Sequence, residues 1–192
     1  MNKKWVKDSE VLDAFRESQD RIISIALIHE ELHKVGGTDT LNFSSYIKKL
    51  VENLFHTYSL GNVDVSLNMD LEENILLDMD TAVPLGLIVN EMVSNSLKHA
   101  FPGRKTGEIR IKLFRTELNQ YSDIREETGF ENRNIDLTLI VSDNGVGIPE
   151  IVDIENPETL GLQLIDILVN QLDGKIEQRR ENGTKFILSL II

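Results

Sequence analysis

The 192-residue sequence contains no cysteine, which excludes disulfide bonds, thiolate metal sites and a thiol nucleophile. No run approaches the roughly 20 consecutive apolar residues that a membrane-spanning helix needs. The opening MNKKWVKDSEVLDAF is charged and lacks the continuous apolar stretch of a signal peptide. Positive charge is also scarce. Against 32 Asp and Glu there are 20 Lys and Arg, a formal net charge of −12, which opposes general binding to nucleic acid or to an anionic membrane surface. No internal repeat is present. What is there is an ordinary soluble composition, 41% hydrophobic and 27% charged, in a chain long enough for one sizeable core with a smaller appendage.

The pattern from about Ser9 to Val35 is helical. Val11, Phe15, Ser18, Ile22, Ile25, His29 and Leu32 are spaced alternately four and three apart, a heptad seam. Gly36-Gly37 ends this helix. A second amphipathic helix runs from about Ser44 to Ser59, with Ile47, Leu50, Val51, Leu54, Phe55 and Tyr58 on one face. The two make a helical hairpin whose narrow apolar stripes call for a partner, such as a second copy of the chain. After Gly61 the period changes to two, and Val63, Val65, Leu67 and Met69 mark a half-buried strand. Asp80 or Thr81 is expected to cap a long helix ending near Phe101, with Pro84 in its first turn. Strands are expected at Glu108–Phe114 and Ile135–Ser142, separated by a polar hairpin insertion at 115–134. A helix at about Leu160–Leu172 and strands at Ile176–Arg180 and Lys185–Ile192, turning at Asn182-Gly183, complete the chain. The order of periods predicts an α+β fold, a helical hairpin followed by an α/β sandwich.

HEELH (29–33) fits the H-E-x-x-H pattern of zinc proteases, in which two histidines one turn apart grip the metal. Glu91 in GLIVNEMVSN (86–95) would be the third ligand. The gap from His33 to Glu91 is too long for that family, a strand interrupts it, and the reading leaves the C-terminal half unexplained.

Four segments of that half form an ordered set. In NEMVSNSLKHAF (90–101), Glu91, Asn95, Lys98 and His99 fall on one polar stripe of a helix, opposite Leu85, Ile88, Val89, Met92, Val93 and Leu97. Such a stripe is ordinarily a solvated face, yet Asn offers a neutral oxygen to a hard cation, and Lys and His oppose phosphate charge. DNGVGIP (143–149) follows a strand; it is turn chemistry, and its glycines also let backbone approach a ligand beside Asp143. TLGLQLI (159–165) opens a helix whose N-terminal N–H groups suit phosphate. GTKF (183–186) leads into the last strand. Each segment is weak alone, and the ordered set is specific.

From about Asp64 to Ile192 the chain resembles the catalytic, ATP-binding domain of two-component sensor histidine kinases. That domain has a two-layer α/β sandwich of the Bergerat type, shared with gyrase, a heat-shock chaperone and mismatch-repair ATPases. The four segments are similar to its N, G1, G2 and last glycine boxes. The resemblance implies ATP as substrate and Mg²⁺ held by Asn95, with Lys98 and His99 facing the phosphates. It implies Asp143 on the adenine amino group, with Thr184 in its water network, and Gly145 and Gly147 at the pocket floor. Leu160, Gly161 and Leu162 would be nucleotide-binding, under a lid at Pro149–Thr159. Glu91 corresponds to the residue that activates water in the related ATPases. Thr159 stands where that family frequently has glycine.

The segment AFRESQDRIISIALIHEELHK (14–34) is similar to the second dimerisation helix of the subgroup whose phosphoacceptor box reads H-R-x-K-N-N, and that box is absent from the sequence. The expectation is a C-terminal piece of a longer cytoplasmic kinase, with residues 1–60 a partial dimerisation region and 61–192 the catalytic domain. Its implied partners are a response regulator receiver domain, an upstream sensor region and, in the full protein, a second protomer. His29, with Glu30 as proton acceptor, has the chemistry of a phosphoacceptor, but on this resemblance it is a packing or interface residue. Two further readings remain: a non-catalytic ATP-binding dimerisation module, and a serine kinase of the same superfamily, which the helical hairpin disfavours.

Overall fold

A computed structural model of the chain describes residues 3–34, 40–58, 63–116, 137–149, 159–180 and 182–191. The element order is α1 (Lys3–Lys34), β1 (Thr40–Asn42), α2 (Phe43–Thr57), β2 (Asp64–Leu71), β3 (Leu76–Asp78), α3 (Met79–His99), β4 (Thr106–Phe114), β5 (Leu137–Asp143), α4 (Leu160–Gln171), β6 (Lys175–Arg179) and β7 (Lys185–Leu190). The α+β class and the periodic elements agree with the sequence reading. Strands β1 and β3 were not anticipated: three residues are too few to display a period. They pair antiparallel, with Leu41 opposite Leu77 and both buried.

The main sheet has the order β2-β4-β5-β7-β6. All its pairings are antiparallel except β2 with β4, which run parallel from Asp64 beside Thr106 to Leu71 beside Leu113. A parallel pair needs a crossover connection, and α3 supplies it. Among the described residues one sheet face is covered by helices and the other is not, so strands alternate. In β4 Ile109, Ile111 and Leu113 are fully buried, while Arg110 and Lys112 point to solvent. Helix α3 buries Leu85, Ile88, Val89, Met92, Val93 and Leu97 in a core shared with the sheet, α2 and Ile28 of α1.

Helix α3 starts earlier than expected because Asp78, at the end of β3, is the cap; its side chain accepts a hydrogen bond from Thr81 N at 2.9 Å. Pro84 therefore lies in the second turn, not the first, where its missing N–H leaves the Asp80 carbonyl without its usual donor. The insertion expected at 115–134 lies outside the described residues from 117 onward.

Helix α1 meets the rest of the protomer through its more polar face. The heptad seam is outward: Val11, Phe15, Ile22 and Ile25 are exposed, as are Ser18 and His29. The inward face carries Asp20, Ser24, Ile28 and Glu31, all buried. His29 therefore does not pack within the protomer, because the heptad spacing that linked it to Ile22 and Ile25 places all three on the open side. Glu31 is ion-paired with Lys49 of α2. Ser24 Oγ lies 3.1 Å from Tyr46 OH, and the Tyr46 ring fills the space left by Gly86 of α3. Burial pushes the Tyr46 phenol above its usual range.

A methyl group at Gly86 would stand 2.8 Å from Tyr46 Cε1. Helix propensity favours alanine there by about 1 kcal/mol, while overpacking costs about 1–3 kcal/mol. Gly86→Ala should therefore destabilise the fold, seen as a lower midpoint in urea unfolding.

Candidate functional site

Central strand β5 delivers Asp143 to its C-terminal end, where the side chain is nearly buried. One carboxylate oxygen, Oδ1, accepts from Gly145 N at 2.9 Å and Thr184 N at 3.2 Å. The other, Oδ2, accepts from Ser96 Oγ at 2.9 Å. A carboxylate has about four acceptor positions, so three fixed donors orient the group and leave capacity for one more donor, such as a ligand amino group. The surrounding backbone is tightly fitted. Val146 N donates to Ala100 O at 2.8 Å, and any side chain on Gly145 would run into that same carbonyl. Gly183 has a φ of +119°, and a Cβ there would lie 2.1 Å from the Asp143 carbonyl oxygen, so glycine is needed on both counts. Arg104 clamps the loop from outside, donating to Asn144 O at 2.7 Å and Gly145 O at 3.0 Å. Gly147 is half-buried near Gly183.

The polar stripe of α3 runs alongside. Glu91 is 3% exposed, Asn95 is half-buried and His99 is exposed at the last residue of the helix. Gly161, in the first turn of α4, packs directly on this stripe: a Cβ there would lie 2.7 Å from Glu91 Oε2 and 3.9 Å from Asn95 Nδ2. Thr159 is the N-cap of α4 and its side chain accepts from Leu162 N, so the residue that departs from glycine has a capping role. Leu160 is exposed, whereas the Leu162 side chain is buried in the core, leaving only its backbone toward the stripe. The first turn of α4 contains no acidic residue of its own. Residues 150–158, most of the expected lid, lie outside the described residues.

Helix α1 supplies the rest of the site. Arg21 grips Glu91 with two hydrogen bonds, Nε to Oε1 at 2.7 Å and an Nη to Oε2 at 3.1 Å. The hydrogen bond with Glu91 is the main cause that raises the Arg21 guanidinium further above its usual value. Lys98 Nζ donates to Glu17 Oε1 at 2.8 Å and stands 5.3 Å above the Tyr58 ring centre. Tyr58 OH in turn donates to buried Asp20 at 2.5 Å. Burial first, then the Asp20 carboxylate, pushes the Tyr58 phenol well above its usual range. Asn90 is buried beside Glu91, with Nδ2 at 3.4 Å from Oε1, and its own buried Oδ1 has no hydrogen-bond partner among the described residues.

The fold thus brings Glu91, Asn95, Asp143, Gly145, Gly161 and Thr184 into one neighbourhood, with Lys98 one turn beyond. Sequence reasoning missed Ser96, Asn90, Arg104, Gly183 as a contact of Asp143, and the α1 residues Glu17, Asp20 and Arg21. Ser96 is adjacent to Asn95 and could have been flagged. The α1 acids and Arg21 carried only the signal of a polar stripe opposite a heptad seam. For HEELH, the His33 side chain lies outside the described residues, and among those described no group of three or more His, Asp or Glu is arranged to hold a metal ion. Ser96→Ala would remove a donor to a buried carboxylate. A loss of about 1.5–3 kcal/mol is expected, measurable as a fall in unfolding free energy against wild type.

Comparison with known proteins gives a consistent result. Residues 80–191 match the family model described as histidine kinase-, DNA gyrase B-, and HSP90-like ATPase, and residues 1–58 match a second model described as histidine kinase. The chain is 28% identical over 186 residues to the sensor histidine kinase PdtaS of Mycobacterium tuberculosis, covering 94% of this chain and 33% of that protein. It is 24% identical over 176 residues to blue-light-activated histidine kinase 2 of Erythrobacter litoralis, covering 90% of this chain and 45% of that one. The chain therefore spans less than half the length of these relatives. In structure it is similar to the histidine kinase domain of the Erythrobacter litoralis EL346 blue-light activated histidine kinase, with a TM-score of 0.75 at 22% identity over 91% of this chain and 74% of that one. The catalytic domain of the histidine kinase ThkA shares the fold with a TM-score of 0.53 at 22% identity, over 79% of this chain and 94% of that one. With its ATPase-type segment at residues 80–191 and a histidine-kinase segment before it, the chain belongs to the sensor histidine kinases.

Proposed function

We propose that the chain binds ATP with Mg²⁺ between α3, the β5–Ile148 loop and the start of α4, and directs the γ-phosphate to a histidine for relay to a response regulator receiver domain. The observation that carries this reading is the Asp143 carboxylate. It is held by three donors at the end of the central strand, with one acceptor position left for the adenine amino group. Thr184 fixes one side of it through its backbone N–H. Gly145 and Gly147 keep side chains out of the pocket floor, and the backbone of Leu160, Gly161 and Leu162 offers N–H groups and a dipole to the phosphates. Lys98 and His99 add positive charge at the far end of the stripe.

The residues fit a magnesium ion. Asn95 is a half-buried amide with no hydrogen bond among the described residues, a neutral oxygen of the type hard cations accept. Held by Asn95, Mg²⁺ would supply positive charge against the phosphates. Glu91, beside Asn95, is placed to orient or deprotonate an attacking group once its own carboxylate is free.

Residues 1–60 serve in this reading as a partial dimerisation region and 61–192 as the catalytic domain. The exposed seam of Val11, Phe15, Ile22 and Ile25 supports a second protomer in the full protein. Among the described residues no helix is long and apolar enough to cross a membrane. On the proposed reading the kinase works in the cytoplasm, downstream of a sensor region of the parent protein. His29 is eight residues beyond Arg21 on α1, about 12 Å along the axis. It lies toward the start of α3 and not toward the phosphates, which favours an acceptor histidine outside this chain.

A second reading, a non-catalytic ATP-binding module, is favoured by one observation: both Glu91 oxygens are taken by Arg21. Phosphate transfer to a separately supplied histidine helix decides between the two, its occurrence excluding the silent module. Asp143→Ala should abolish ATP binding in calorimetry and Asn95→Ala should remove its magnesium dependence. Unchanged affinity in Asp143→Ala would refute the site.

A further inference from the structure

Helix α1 docks through its charged side. Its apolar residues Val11, Phe15 and Ile22 are more than half exposed, at 54%, 66% and 66%, while Glu17, Asp20 and Arg21 face α2 and α3. The targets of these groups are not arbitrary. Glu17 is on Lys98 and Arg21 is on Glu91, two of the residues assigned above to the phosphate side of the nucleotide site.

We propose that α1 is a removable latch which competes with the nucleotide triphosphate for the polar face of α3. This inference rests on the reading of that face as the ATP site. The electrostatics have a definite sign. A phosphate approaching Lys98 meets the Glu17 carboxylate already 2.8 Å from the ammonium, so it must either displace Glu17 or suffer like-charge repulsion in a partly buried setting. At the other end Arg21 donates to both oxygens of Glu91, which turns the carboxylate toward α1, so an attacking group would have to share it with the guanidinium. Gly161 brings the α4 turn against that same carboxylate, so phosphates at the α4 N-terminus and Arg21 crowd one position. The latch therefore withholds the Lys98 charge from the phosphates and holds the Glu91 carboxylate toward α1.

Competition is reciprocal by linkage: whatever α1 docking takes from nucleotide affinity, nucleotide takes from α1 docking. The docked face is also suited to release. At Glu17 and Arg21 it is held by ion pairs, with side-chain exposures of 18% at Arg21, 16% at Lys98 and 32% at Glu17, that water and phosphate replace in kind, while Ile28, two turns on, stays in the core.

The test is calorimetric titration of the non-hydrolysable analogue AMP-PNP with Mg²⁺ into wild type, Glu17→Gln and Asp143→Ala. Alongside it, hydrogen exchange of α1 is followed by mass spectrometry. Glu17 is partly exposed, so its isosteric change leaves the fold intact, unlike removal of Arg21. The expected result is affinity about fivefold tighter in Glu17→Gln, the equivalent of one exposed ion pair. No binding is expected in Asp143→Ala, and α1 amides should exchange faster when wild type is saturated. Binding by Glu17→Gln where wild type binds too weakly to detect supports the latch equally. If wild type binds and Asp143→Ala does not, unchanged or weaker binding by Glu17→Gln overturns the latch and leaves the site standing. Unchanged or slower α1 exchange on saturation does the same. Absence of binding by every form overturns the site, and the latch with it.

Discussion

Helix α3 must satisfy two opposed demands along its 21 residues. One side supplies the apolar contacts that join the sheet to α2. The other carries Glu91, Asn95 and Lys98 through the same turns. A helix can do both because residues three and four apart share a face, so a few positions per turn change environment completely. Everything else at the site is measured from this helix. Ser96 orients Asp143, the Ala100 carbonyl anchors Val146, and the Glu91 and Asn95 side chains leave room for only a glycine in the first turn of α4. A shift of α3 would misplace all four segments together, which is why they work as one unit although they are distant in sequence.

The second element of design is close approach. Gly145 and Gly183 bring backbone against Ala100 and Asp143 at distances that no side chain permits. The result is a carboxylate held by two backbone N–H groups and one hydroxyl. Backbone donors cannot rotate away, so the orientation of Asp143 is fixed before any ligand arrives, and its cost in ordering has already been met in folding.

Helix α1 shows a less familiar economy of charge. Charged groups removed from water are costly unless paired, yet this helix turns Glu17, Asp20 and Arg21 inward and Ile22 and Ile25 outward, with Ile28 alone of its isoleucines in the core. The pairing explains how: Arg21 with Glu91, Lys98 with Glu17, and Tyr58 with Asp20 leave each inward charge matched. The apolar seam is then free for a surface not in this chain. Both features fit a helix that changes partners, in contrast to one whose apolar face is locked in the protomer core.

Much of this was legible in the sequence. The periods of two and 3.6 marked most strands and all four helices, and the ordered segments NEMVSNSLKHAF, DNGVGIP, TLGLQLI and GTKF marked the site, because local chemistry at a turn or helix start repeats whatever the surroundings. The three-residue strands β1 and β3 were not legible, being too short to show a period. Nor was the cap at Asp78, since which of several acids caps α3 depends on where β3 ends. The pairing of Arg21 with Glu91, 70 residues apart, was beyond reach for a deeper reason. Sequence patterning reports which side of a helix is apolar, and by itself it called for a partner on the α1 seam without saying what the opposite face would meet. Only the tertiary structure decided that α1 docks by its charged face, because the energy of an ion pair depends on the distance and burial of a partner that the chain brings near only when it folds.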